Sequence, residues 1–179
     1  MPTAYESVLI ECYKEEMVAY LNDHPEDFGE AIRLAVADSQ PYAWRSAWLL
    51  WSCMDDDDPR IRASIDELLR VAPSKSDGHQ RELIKILLRM NLSDEQEGRL
   101  FNLAVGVWED VGKKPSVRFT AFKFIHRMGI KYPDLQREIG LLTSTELINP
   151  LSPGVRSSIL KMIRSNKAVG KIVRRLDED

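Results

Sequence analysis

The sequence predicts an all-α protein, a solenoid built from stacked helical pairs, on three observations. No β-branched run alternates apolar and polar residues with period two, so no strand is expected. Prolines punctuate the chain where segments of helical apolar spacing begin: Pro25, Pro41, Pro59, Pro115, Pro133 and Pro153. Proline suits the first helical position, whose N–H has no intrahelical acceptor. Basic residues then repeat at a steady interval. Arg45, Arg81, Arg118 and Arg156 are spaced 36, 37 and 38 apart; Lys85, Lys123 and Lys161 recur every 38; Arg89, Arg127 and Arg164 recur at 38 and 37. A period of that length holds two helices, and such units bury their apolar faces on one another.

A leading helix is expected near 4–21. Four pairs follow, at 26–37 and 42–54, 59–71 and 78–90, 94–110 and 115–131, and 134–146 and 153–166, with short loops throughout. Ser93-x-x-Gln96 and Asp77-x-x-Gln80 have the form of capping boxes and mark two of the starts. The tail KAVGKIVRRLDED sets Val169, Ile172, Val173 and Leu176 at helical spacing and reads as a short C-terminal cap. The whole chain, 1–179, reads as a single domain long enough to bury its own core.

The strings PSVRFTAFKFI and SPGVR, a proline-led turn followed by Val-Arg and an apolar stripe, resemble the second helix of HEAT/armadillo repeats. The resemblance runs from about residue 23 to 166 and rests on the repetition of weak motifs. It implies an α-α superhelix whose second helices line a concave face. It also implies that a turn Asp or Asn pairs with the helix arginine: Asp38 with Arg45, Asp110 with Arg118 and Asn149 with Arg156. The second pair departs, with only Asp77 four residues before Arg81.

Residues 41–59, PYAWRSAWLLWSCMDDDDP, raise the question of an aromatic platform beside a metal site. On a helix, Trp44, Trp48 and Trp51 fall within about 60° of one another. Leu49 and Leu50 extend the apolar surface round most of the circumference, which predicts a buried helix with its tryptophans in the core. Exposed indoles would instead suit base stacking. The aspartates read as a solvated turn in which Asp58 caps a helix opened by Pro59. As a calcium loop starting at Asp55 the run fails, because the glycine position holds Arg60 and the twelfth holds Asp66.

Catalytic motifs are missing. There is no GxGxxG, GxxxxGK, HExxH or GxSxG string, and His24, His79 and His126 lack metal spacing. Cys12 and Cys53 form no CxxC. Ser76-Asp77-Gly78-His79 gathers nucleophile, acid and base types, but a helix-capping loop accounts for them. The chain is distantly similar to DNA-alkylation-repeat glycosylases, whose catalysis uses tryptophans and an aspartate. The nearest candidates here are Trp108 and Asp110. Trp108 shares an apolar stripe with Leu100, Leu103, Ala104 and Val107, so no catalytic residue is carried over. A non-enzyme with no cofactor and no metal is expected.

Charge is divided unevenly. The first helices hold 6 basic and 13 acidic residues, net −7, and the second helices with flanking Lys114 and Ser152 hold 12 and 1, net +11. Along the chain, residues 1–110 carry 11 basic and 22 acidic groups, and 111–179 carry 14 and 6. That asymmetry points to an acidic protein or other anionic partner. The candidate binding residues are Arg81, Lys85, Arg89, Arg118, Lys123, Arg127, Arg156, Lys161 and Arg164. Arginines paired to turn carboxylates would be structural; the Lys85 and Arg89 series would then be the binding set. A non-catalytic recognition module is the expected function. Alternatives are sequence-independent binding to the duplex backbone of a nucleic acid, head-to-tail self-association and, last, a DNA-alkylation-repeat glycosylase. No secretory signal or apolar run of ~20 residues is present, so a cytoplasmic protein without a membrane partner is expected.

Overall fold

The computed structural model describes residues 2–165; the expected cap at 167–179 lies outside the described residues. All regular structure among them is helical. Two compact units form, one spanning Met1–Leu100 and one beginning at Phe101.

The expected leading helix is two helices, α1 (Ala4–Glu11) and α2 (Lys14–Asp23). Thr3 caps α1 through a reciprocal box with Glu6. The chain then turns extended at Cys12 and restarts where the Tyr13 N–H donates to Glu16 Oε2 at 2.8 Å. The first unit continues with α3 (Phe28–Val36), α4 (Tyr42–Cys53), α5 (Ile65–Val71) and α6 (Asp77–Leu88). Helix α4 is its hub, packing on α1, α2, α3 and α6.

The face α4 turns inward is built from Ala43, Ser46, Ala47, Leu49 and Leu50. Three of these side chains are small, so neighbouring backbones come close. Tyr5 OH donates to Ser46 Oγ at 2.8 Å, and Ser46 Oγ donates to Ala31 O at 2.8 Å, which satisfies the one hydroxyl this interior holds from α4. The tryptophans are therefore not core, contrary to the expectation: Trp48 and Trp51 are half-buried and Trp44 is 37% exposed. An indole cannot occupy an arc where alanine and serine set the helix spacing.

Polar groups tie the first unit together. Lys75 is buried, and its ammonium donates to Ala37 O at 2.8 Å and pairs with Asp38. Asp38 thus serves Lys75, not Arg45 as the resemblance implied; Arg45 donates to Leu9 O at the end of α1. His79, fully buried, has Nε2 2.7 Å from Ala35 O and Nδ1 3.1 Å from Gln40 Nε2. A ring that donates through Nε2 and accepts at Nδ1 is neutral, and burial pushes its pKa below the usual histidine range. Ser76, not Asp77, is the N-cap residue of α6, and Gln80 Nε2 turns away to donate to Ala72 O at 2.9 Å. The expected box at Asp77 therefore does not form. The box at Ser93 and Gln96 does, with bonds of 3.1 and 3.3 Å opening α7 (Asp94–Glu109).

The four aspartates staple a loop. Asp58 is 1% exposed and accepts from Arg60 N at 3.0 Å, Asp55 N at 3.1 Å and the Arg60 guanidinium at 2.6 and 2.9 Å. Asp58 organises this turn instead of capping a helix at Pro59; after a 3-10 turn at Arg62–Ser64, α5 starts only at Ile65. Asp57 pairs with Arg62 and accepts from Asn91 N and Nδ2, and Asp56 pairs with Arg89 at 2.7 Å. Among the described residues no group of three or more His, Cys, Asp or Glu is arranged to hold a metal ion.

The Arg60 guanidinium beside Asp58 holds that carboxyl down at about 2. Its unfolded value lies near 3.8. A depressed carboxyl stabilises the fold fully above its unfolded pKa and loses that contribution as pH falls through its folded one. The linkage amounts to about 2 kcal/mol. Urea unfolding at pH 5 and pH 2 should show the gap between wild type and Asp58→Asn narrowing by about that amount. A pH-independent gap would contradict the assignment.

In the second unit, the last turns of α7 are followed by α8 (Pro115–Lys131), α9 (Gln136–Leu141), α10 (Thr145–Ile148) and α11 (Pro153–Ser165). The single helix expected at 134–146 is broken into α9 and α10. Side chains replace the interrupted backbone ladder there: Thr143 Oγ1 donates to Gly140 O at 2.6 Å and Trp108 Nε1 to Leu142 O at 2.7 Å. Trp108 is fully buried against Phe122, ring centroids 4.6 Å apart, as its apolar stripe predicts. Gly129 allows α9 to approach α8, because a Cβ there would stand 2.7 Å from Ile139 Cδ1.

Candidate binding site

The nine predicted residues divide by what they hold. Arg118 is 1% exposed: its Nε donates to Trp108 O at 2.9 Å, its Nη2 to Leu147 O at 2.7 Å, and its guanidinium lies 4.8 Å from the Trp108 ring centroid. Burial lowers its pKa against the raising influence of Asp110, but an arginine stays charged in proteins. Arg156 Nη2 donates to Asn149 O at 2.6 Å and Leu151 O at 3.3 Å. Both arginines therefore cap backbone carbonyls at helix ends, where the implied ladder would have placed Asp110 and Asn149 side chains. Helix C-terminal carbonyls lack intrahelical donors and carry partial negative charge, so a guanidinium fits them well.

On α6, Arg81 and Lys85 both reach Glu82, each at 2.6 Å, and Glu82 is fully buried. After Asp77 in the first turn, Glu82 is the other acid of α6, and it anchors two of that helix's cations. Lys85 Nζ also stands 3.2 Å from the Trp51 ring centroid. Arg89 bonds Trp51 O at 3.1 Å as well as Asp56. These three cations are about one-third exposed or less.

On α8 and α11, which pack together, the cations stand farther out. Lys123, Arg127, Lys161 and Arg164 are all exposed. Lys123 Nζ lies 4.5 Å from the Phe119 centroid and the Arg127 guanidinium 5.0 Å from that of Phe124. His126 Nε2, 3.0 Å from Met162 O, joins the two helices. At Lys123 and Arg127 the cation thus rests on an aromatic ring, which fixes it without neutralising it.

A pocket of about 220 Å³ opens in the first unit where α2, α4 and α6 meet, lined by Lys14, Met17, Trp44, Arg45, Trp48 and Arg81. Trp44 seats on the first turn of α6, where a Cβ at Gly78 would lie 3.6 Å from its Nε1. Lys14 Nζ stands 5.5 Å from the Trp48 centroid. Of the six lining residues only Arg81 was a sequence candidate. The signal that could have found Trp44 and Trp48 is the small-residue pattern Ala43, Ser46 and Ala47, which claims the packed side of α4 and leaves its indoles outside.

With cations around exposed indoles, iodide should quench tryptophan emission more than caesium at equal concentration, and added salt should close the gap. Equal quenching by both ions would show that no positive field reaches these rings.

The fold defines an all-helical repeat protein of the α-solenoid class. The family model of the HEAT repeat domain matches residues 7–166, and the chain belongs to that family. No curated protein and no solved structure gives a significant match. HEAT repeat domains serve in general as protein-interaction scaffolds and are typically non-catalytic. No helix among the described residues is long and apolar enough to cross a membrane.

Proposed function

We propose that this chain is a non-catalytic recognition scaffold whose second helices bind an acidic protein segment. In the second unit, Lys123 and Arg127 on α8 and Lys161 and Arg164 on α11 supply the field; in the first, Arg81 and its neighbours form a separate patch on α6. The observation that supports it is the exposed positive charge of α8 and α11: among the described residues, Lys123, Lys161 and Arg164 have no carboxylate partner. Arg118 and Arg156 hold the stack that carries them.

Polyglutamate titrated into the full-length protein at low and high salt tests this reading. Binding should be salt-sensitive and should weaken about tenfold or more in the triple variant Lys123→Glu, Lys161→Glu, Arg164→Glu, while its melting temperature holds. Equal binding by the variant would refute the assigned surface. Duplex DNA is the parallel probe. Tight binding with a salt slope of about −0.9 per neutralised phosphate, in the absence of polyglutamate binding, would favour a nucleic-acid partner instead.

A further inference from the structure

We propose that the pocket between α2, α4 and α6 is an anchor subsite that takes one bulky apolar side chain of an acidic peptide. This inference rests on the reading that the partner is an acidic protein segment, and it names what a segment bound at the first unit must carry. Size argues first. The pocket measures about 220 Å³. Clefts that enclose drug-sized ligands run to ~300–1,000 Å³, so this one suits a single side chain such as Phe or Leu.

Chemistry argues second. Met17, 5% exposed, lines the pocket together with the indoles of Trp44 and Trp48. Indoles presented to solvent offer a large contact area at low conformational cost, as at interface hot spots. The other three lining residues, Lys14, Arg45 and Arg81, are cations, and no carboxylate lines the pocket. Arg45 and Arg81 are held by Leu9 O and Glu82, so the positive groups are pre-positioned. The same cations exclude the other familiar occupant of an aromatic pocket, a quaternary or methylated ammonium, by like-charge repulsion. An apolar group flanked by aspartate or glutamate fits both features at once.

A nucleic acid fits less well. Residues 1–100 hold 11 basic and 20 acidic groups, net −9 (11 − 20), so a long polyphosphate meets repulsion over the unit outside the pocket. A short segment needs only the local cations.

The test uses the full-length protein and three short labelled peptides: one of Glu, Asp and Ser with a central Phe, one with that Phe replaced by Ser, and one with the Phe kept and the acids replaced by Gln and Asn. The acidic Phe peptide should bind, shift tryptophan emission to the blue and protect it from iodide. The acidic Ser peptide should bind about tenfold more weakly or less. Trp44→Ala should erase the difference between those two; Trp44 is 37% exposed, so its loss leaves the core intact, and Trp44→Phe should keep most of the difference. Equal affinity of the two acidic peptides overturns the anchor while leaving the acidic-segment reading standing. Equal affinity of the acidic and neutral Phe peptides overturns the charge requirement and with it this proposal. Failure of all three peptides, or binding only of a thymidine oligonucleotide run alongside, overturns both readings.

Discussion

Replacing Arg118 with alanine should lower the unfolding free energy by about 2–5 kcal/mol, the cost of orphaning one buried and one partly buried carbonyl and losing a packed guanidinium. The two acceptors are Trp108 O and Leu147 O, and the guanidinium also covers the Trp108 ring. Arg118→Lys should recover little, since one ammonium on a flexible stem cannot reproduce the two diverging N–H donors. Chemical denaturation followed by far-UV circular dichroism measures the loss. Any effect of Arg118→Ala on ligand binding should scale with the unfolded fraction. A variant of native stability with selectively weakened binding would return Arg118 to the binding set.

Lys85→Glu should cost about 3 kcal/mol, because it breaks a buried pair and sets a second carboxylate against Glu82. Glu82 is fully buried, and Lys85 meets one of its oxygens at 2.6 Å while covering Trp51. Arg81 remains on the other oxygen and keeps the cost from rising further. Lys85→Met retains the contact with Trp51 and should cost less than half as much. The equivalent reversal at exposed Lys123, whose partner is the face of Phe119, should cost no more than about 1 kcal/mol. Urea midpoints of the three variants decide this. Equal destabilisation by Lys85→Glu and Lys123→Glu would mean Glu82 does not depend on its lysine. The ranking also governs how binding variants are chosen: at Lys85 a charge reversal reports on folding first, whereas at Lys123, Lys161 and Arg164 it reports on the surface.

The repeat was legible because its period is carried by residues the fold needs. Arg118 and Arg156 recur because each pair ends in helix carbonyls that want a donor, and Pro115 and Pro153 recur because each opens a second helix. What the arginines bond was not legible, since a backbone carbonyl leaves no mark in a sequence while an aspartate at a suitable interval does. The arc of α4 was misread for a related reason. Hydrophobicity all round a helix says that most of it is covered but not which side packs closest, and the smallest residues decide that. The break after α1 was hidden because the capping partner of Glu16 is the backbone of Tyr13, a residue type with no capping signature. The break between α9 and α10 had a cue in Thr143-Ser144-Thr145, hydroxyl residues that bond neighbouring backbone in place of a helix. The pocket itself could not be foreseen, because Lys14, Trp44 and Arg81 come from three helices whose meeting is a matter of packing.

The indoles are unevenly shared: Trp44, Trp48 and Trp51 belong to the first unit, and Trp108 lies sealed in the second. Each half of the chain therefore carries its own intrinsic optical probe. A protein with phenylalanine at 44, 48 and 51 emits from Trp108 alone, and one with phenylalanine at 108 emits only from the other half. Melting the two side by side would show whether the array comes apart in one step or in stages, with no extrinsic dye attached.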